Sequence, residues 1–293
     1  MPTAAPSESE PASGRPQRSV GRNLPVAVTS GLALAGVFLG TLAWRPYAFL
    51  AFIATLVVIA LLELDVALRA NGVRPATPVA VGAGLVMVFG SYSGGPSAQS
   101  LGLVLLVFGA MAWTMLDEGA RSGGGRRRRN VAAGLGATCL VTLWVPLSAS
   151  FVGLLLARDH GVWYVLAIVA LAVTNDIGAY AVGSRFGRHK LAPTVSPSKT
   201  WEGFAGGLVT ALLVAGLVAA RVPGLDLLAA LALGVAVVVA ATIGDLAESL
   251  AKRDLGVKDL GRILPGHGGI MDRVDGIIFA LPVSHLLLVA LGS

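Results

Sequence analysis

The chain has 293 residues, 55% of them hydrophobic and 13% charged, with 16 acidic residues and a mean hydropathy of +0.78. That composition excludes a soluble globular core and points to one polytopic membrane domain, and a single cysteine, Cys139, excludes a disulfide framework. The net charge of +6 does not argue for nucleic acid, because basic residues beside apolar spans act as topology signals and as contacts to anionic lipid.

In chain order, residues 1–22 are rich in Pro, Ser, Ala and Glu. They lack the apolar core of a signal peptide, so a disordered tail is expected. Nine apolar runs follow, at 25–44, 46–68, 76–93, 99–117, 131–156, 161–183, 203–220, 224–247 and 271–291. Each is close to the ~20 residues that a spanning helix needs. The expected fold is therefore all-α, with about nine transmembrane helices in a single domain over 23–293. No internal repeat is evident, which weakens the case for a symmetric transporter.

The basic residues test this count. With nine spans, one side of the membrane receives Arg15, Arg18 and Arg22 of the tail and Arg69 and Arg74 of the second loop. The fourth loop adds Arg121 and Arg126 to Arg129, and the sixth adds Arg185, Arg188, Lys190 and Lys199. Lys252, Arg253, Lys258, Arg262 and Arg273 follow in the eighth, so that of 22 Lys and Arg only Arg45, Arg158 and Arg221 fall on the other side. By the positive-inside rule the tail and the even-numbered loops are cytoplasmic. Splitting the fifth run at Pro146 would put the sixth and eighth loops on opposite sides of the membrane from the others, so it is kept whole.

Several polar clusters interrupt the apolar pattern. Glu63 and Asp65 end the second span and Asp117 and Glu118 the fourth; of these, Glu63 is the one expected to face a cavity. Arg126 to Arg129, after three glycines, reads as a lipid-attracted topology determinant. Asp176 lies about two turns inside the sixth span beside Asn175; such a carboxylate marks either a polar cavity or a structural pair with a neighbouring helix. Ser196, Lys199 and Thr200 precede the seventh span, where hydroxyls and a lysine either bind phosphate oxygens or cap the helix.

The densest cluster runs from Ser249 to Asp275. Asp272 and Asp275, three apart at a helix start, share one face and suit a hard divalent cation. Pro265-Gly266-His267-Gly268-Gly269 just before them is a turn whose backbone N–H groups can approach an anion. His267 there is either a general base or phosphate donor, or a structural cap of the turn. Upstream, Asp245, Ser249 and Lys252 fall at i, i+4 and i+7, again one helical face. No zinc-spaced His/Cys cluster, Walker A lysine motif or nucleophile elbow occurs in the sequence, which favours direct displacement over a covalent intermediate.

These residues resemble the signature of the phosphatidate cytidylyltransferases, or CDP-diacylglycerol synthases. Its positions are matched by Ser249, Lys252-Arg253, Lys258-Asp259, Pro265, His267-Gly268-Gly269, Asp272-Arg273 and Asp275. Asp176, Gly178, Ala179 and Tyr180 match a second motif of the family, and Ser196 to Gly203 resemble its Ser-Pro-Lys-Lys-Thr-Trp-Glu-Gly segment. Ser198 stands where a second lysine is usual, and Ala251 where a larger apolar residue is common. The specific likeness covers about the last 120 residues.

The resemblance implies a multi-pass enzyme of the cell membrane that transfers CMP from CTP to phosphatidate at the cytoplasmic face, and a homodimer. Asp245, Asp272 and Asp275 are then expected to hold magnesium, with Asp176 and Asp259 as further candidates and a monovalent cation such as K+ at a second position. Lys252 would be a fixed positive charge in that cluster, and Arg253, Lys258 and Arg273 would bind phosphates. The backbone of Gly268 and Gly269 would add donors, and Ser196, Lys199 and Thr200 would close the site. The competing readings are a CTP-dependent polyprenol or phytol kinase and an ion or lipid transporter that uses the buried aspartates.

Overall fold

The computed structural model describes residues 24–119, 131–261 and 269–292. Lipid offers a peptide backbone no partners, so a chain this apolar must satisfy its hydrogen bonds within helices. The order is α1 (Leu24–Trp44), α2 (Pro46–Ala70), α3 (Thr77–Gly94), α4 (Pro96–Gly119), α5 (Val131–Thr142), α6 (Ser148–Leu156), α7 (Gly161–Phe186), α8 (Trp201–Ala219), α9 (Leu227–Asp254) and α10 (Met271–Ala290). Among the described residues eight spans are long and apolar enough to cross a membrane, with α5 and α6 counting as one, Val131–Leu156. The ninth expected span corresponds to α1, of 21 residues, whose described side chains form a shorter apolar helix, Thr29–Trp44. The tail and Arg126 to Arg129 lie outside the described residues.

Pro146 does not break the fifth span. A prolyl nitrogen cannot donate to the preceding turn, and here the helix widens into a π-turn over Leu143–Leu147 before resuming as α6. Gly84 of α3 packs on that turn: a Cβ on Gly84 would stand 2.7 Å from Pro146 Cβ. The chain therefore crosses once here.

Apolar side chains gain little by leaving hydrocarbon for one another, so helices in lipid associate through close packing and interhelical hydrogen bonds. The α7–α8 pair uses both. Thr210 Oγ1 donates to Thr174 O at 3.0 Å, and a Cβ on Gly178 would lie 2.1 Å from Thr210 Oγ1 and 2.8 Å from Gly206 O. Gly178→Ala is expected to cost about 1–3 kcal/mol as an overpacked contact, seen as a lower thermal midpoint in detergent. Gly36→Ala on α1, where a Cβ would meet nothing within 4 Å, should leave the midpoint unchanged or slightly raised.

One end of the bundle gathers the basic loops. Ala76 N donates to Thr138 Oγ1 at 2.8 Å, joining the α2–α3 turn to α5. Asn71 Nδ2 donates to Leu255 O at 3.0 Å, joining α2 to the end of α9. Arg253 Nε donates to Val195 O at 3.3 Å, joining α9 to the α7–α8 connection. At the opposite end the Arg158 guanidinium lies 5.9 Å over the Tyr164 ring.

One local feature differs from the sequence expectation. The α7–α8 connection is an antiparallel hairpin, β1 (Lys190–Ala192) and β2 (Ser196–Thr200), with Lys190 opposite Thr200 and Ala192 opposite Ser196. Glu202, in the first turn of α8, fixes its base by accepting from Arg188 N at 3.1 Å and His189 N at 3.2 Å. Helix α9 continues past the end of its apolar run at 247 to Asp254, in keeping with the one-face spacing of Asp245, Ser249 and Lys252. An apolar run marks only the part of a helix that lies in lipid; the backbone bonds continue wherever side chains support them, here through the Lys252–Glu248 ion pair at 2.8 Å.

Candidate active site

Because α9 is continuous through 254, Asp245, Glu248, Ser249 and Lys252 follow one another along a single face. The first turn of α10 lies against that face. Small residues allow the approach: a Cβ on Gly244 would stand 2.7 Å from Asp275 O, and one on Gly276 would stand 3.3 Å from Ala241 Cβ. Backbones this close bring Asp275 beside the acidic side chains of α9. One carboxylate oxygen from each of Asp245, Glu248 and Asp275 lies within 4.8 Å of the others.

Glu248 is only 1% exposed. Its Oε2 receives Lys252 Nζ at 2.8 Å, whereas Oε1 is buried with no hydrogen-bond partner among the described residues. A buried carboxyl oxygen without a partner is costly. Beside two further carboxylates it completes an all-oxygen donor set of the kind magnesium takes, so the residues present fit that ion.

Asp272, expected beside Asp275 in the donor set, is engaged elsewhere. Its Oδ1 pairs with Lys252 Nζ at 2.6 Å, and its Oδ2 accepts from Gly269 N at 2.8 Å. A spacing of three leaves two helical side chains about 60° apart and most of a turn displaced, which carries Asp272 to Lys252 and Asp275 to the triad. Lys252 thus sits between Glu248 and Asp272 as a fixed cation.

The remaining expected residues line two cavities along α9. The first, about 440 Å³, opens among α7, β2, α8 and α9; Asp176, Lys199 and Asp245 are its charged residues, and Tyr180, Leu191 and Phe204 form much of its apolar wall. Lys199 forms an ion pair with Asp245. Asp176 faces this space, with Asn175 Nδ2 donating to its Oδ1 at 3.3 Å. Thr200 caps α8 by accepting from Gly203 N at 3.1 Å, the capping alternative of the sequence, while also lining the cavity. The second, about 680 Å³, is lined by Ser196, Ser249, Lys252, Arg253 and Lys258. Ser198 of β2 borders both.

Asp259 and Arg273 are exposed and line neither cavity. Gly269 is buried and gives its N–H to Asp272. His267 and Gly268 lie outside the described residues. Sequence reasoning passed over Glu248, though the helical arithmetic that selected Asp245 and Lys252 sets Glu248 three residues from one and four from the other. It also expected Glu63 to face a cavity, whereas Glu63 is packed against backbone amides of Ile270 and Met271.

The sequence model of the cytidylyltransferase family matches residues 25–291. The phosphatidate cytidylyltransferase of Mycobacterium bovis is 35% identical over 300 residues, covering 99% of this chain and 97% of that protein. That of Mycobacterium leprae is 37% identical over 283 residues, covering 92% and 89%. The Staphylococcus aureus phosphatidate cytidylyltransferase is 34% identical over 236 residues, covering 79% and 87%.

Proposed function

The chain belongs to the cytidylyltransferase family, and on that premise we propose that Asp245, Glu248 and Asp275 form the metal-holding centre of its reaction. The reaction is the transfer of CMP from CTP to phosphatidate, giving CDP-diacylglycerol and pyrophosphate. An oxygen of the phosphatidate phosphate forms a bond to the α-phosphorus of CTP. The bond from that phosphorus to the α,β-bridging oxygen breaks, and its electron pair leaves with pyrophosphate.

The attacking phosphate is already an anion, so the barrier lies in bringing polyanions together and aligning them rather than in removing a proton. The basic second cavity suits the triphosphate: Lys252, Arg253 and Lys258 supply charge and Ser249 and Ser196 supply hydroxyls. The first cavity suits the phosphatidate head group, with Lys199 for its phosphate and apolar walls toward the glycerol and acyl chains. Ser198, on the strand between the two, leaves Lys199 as that segment's only lysine. A magnesium ion held by the triad would supply neutralisation of the phosphate oxygens as pyrophosphate leaves. The concentration of cations at the end of the bundle that carries the triad supports a cytoplasmic active site, where CTP is available.

The observation that carries this reading is the triad of Asp245 and Glu248 on α9 with Asp275 on α10, Asp245 lining the first cavity and Lys252, paired with Glu248, lining the second. Incubation of the purified protein in detergent with phosphatidate and CTP labelled separately at the α and γ positions tests it. Label from the α position is expected in the lipid product. Label from γ alone would mark a lipid kinase instead, and no consumption of CTP without a sealed compartment would favour a transporter.

A further inference from the structure

Glu63 plays no part in the chemistry above, yet it is 4% exposed and carries a carboxylate inside a spanning helix. Such a group is expensive in the membrane unless donors compensate it. The donors come from the far end of the chain. Ile270 N donates to Glu63 Oε1 and Met271 N to Glu63 Oε2, each at 3.1 Å, across 207 and 208 residues.

Those two amides belong to the start of α10. The first N–H groups of a helix have no partner within it, and the helix dipole favours an anion there. At the two preceding helices the cap residue's own side chain does that work: Thr200 caps α8 and Asp226 caps α9, the latter accepting from Ala229 N at 2.7 Å. Helix α10 has Ile270 at its cap position, a residue with no polar atom to offer. The carboxylate from α2 takes the place of the missing local cap.

Its fit is tight on both sides. A Cβ on Gly261 would stand 2.1 Å from Glu63 Oε1, and one on Gly269 would stand 2.7 Å from Glu63 Oε2. Two turns further along α2, Asn71 Nδ2 holds Leu255 O at the end of α9, 3.0 Å away. One helix from the N-terminal half therefore grips the end of α9 and the beginning of α10, the two elements whose carboxylates meet. From Gly269 and Met271 the contact continues through Asp272 to Lys252 and through Lys252 to Glu248.

We propose that Glu63 is a positioning residue for CMP transfer: from α2 its carboxylate fixes the first turn of α10, and so the direction in which Asp275 meets Asp245 and Glu248. The proposal rests on the triad as the reaction centre. It gives the N-terminal spans, which carry none of the signature residues, a stated task in catalysis. A displacement of about 1 Å at reacting groups costs on the order of a hundredfold in rate, so a carboxylate that touches no substrate has leverage on turnover.

Glu63→Gln is the direct test. The amide keeps one acceptor but turns an NH2 group toward the second backbone N–H, so one of the two amides loses its partner. Expected are a kcat lowered about 10–100-fold, the range for residues that orient a reacting group, and a KM for CTP within about threefold of the parent, because the cationic cavity is built on α9 and β2. Hydrogen exchange by mass spectrometry should show faster exchange over 270–276 with 241–248 unchanged, at a thermal midpoint close to the parent's.

Glu63→Asp retains both oxygens on a shorter stem and should recover part of the kcat lost in Glu63→Gln. If Glu63→Gln does not accumulate as folded protein, Glu63→Asp carries the same readings with smaller shifts. A kcat within twofold of the parent, a changed KM at constant kcat, or unchanged exchange over 270–276 would overturn the proposal. The exchange measurement needs no substrate. Faster exchange in a protein that fails the α-label assay would therefore leave the α2 grip standing and remove the reaction assigned to the triad.

Discussion

Asp275→Asn lowers CMP transfer by more than about a hundredfold, on the order of losing one strong transition-state contact, while the protein still accumulates in the membrane. The substitution conserves size, and the remaining carbonyl oxygen can still accept from Gly276 N, a contact of 2.8 Å in the parent. What disappears is one of three negative charges around the proposed ion, and with it part of the field that holds the phosphates. Initial rates of label transfer from α-labelled CTP, normalised to protein recovered in detergent, measure the effect. Near-parental activity in Asp275→Asn would remove the triad from the reaction.

Glu248→Gln should be as damaging, and its comparison with Asp272→Asn distinguishes the observed geometry from the sequence expectation. Glu248 supplies a buried oxygen with no donor among the described residues and receives Lys252 on the other, so the amide would weaken both the proposed donor set and the hold on the lysine. Asp272 orients Lys252 and the backbone at Gly269 from outside the triad. Groups in that position typically cost about 10–100-fold when removed. Rates measured across a magnesium titration should show Glu248→Gln requiring far more metal than the parent. Asp272→Asn should lose turnover with its metal requirement shifted no more than about tenfold. The reverse order would return Asp272 to the metal and make Glu248 a structural partner of Lys252.

The helices were legible in the sequence because lipid imposes a severe rule: every spanning segment must be long, apolar and internally hydrogen-bonded. Run lengths alone therefore approximate the boundaries, and the sidedness of the Arg and Lys residues was enough to keep Pro146 inside one span. The same severity exposes the chemistry. In a chain with 16 acidic residues, carboxylates clustered beside apolar runs stand out, and Asp245 and Asp275 were found that way. Sequence spacing also placed Ser249 and Lys252 on the face of Asp245, since a helix repeats every 3.6 residues.

Sequence did not reveal contacts between elements. That Asp275 meets Glu248 while Asp272 turns to Lys252 depends on how closely α9 and α10 approach at Gly244 and on the rotation of α10 about its axis. No periodicity within either helix encodes those quantities. Glu63 is a clearer case: its partners lie more than 200 residues away and are backbone amides, which leave no side-chain signature to match. The sequence by itself determined a bundle of membrane helices and the residues available for phosphate chemistry. Only the tertiary structure decided which carboxylates lie together and which one meets the start of α10, because those choices depend on how closely the helices pack, and local pattern does not reach that far.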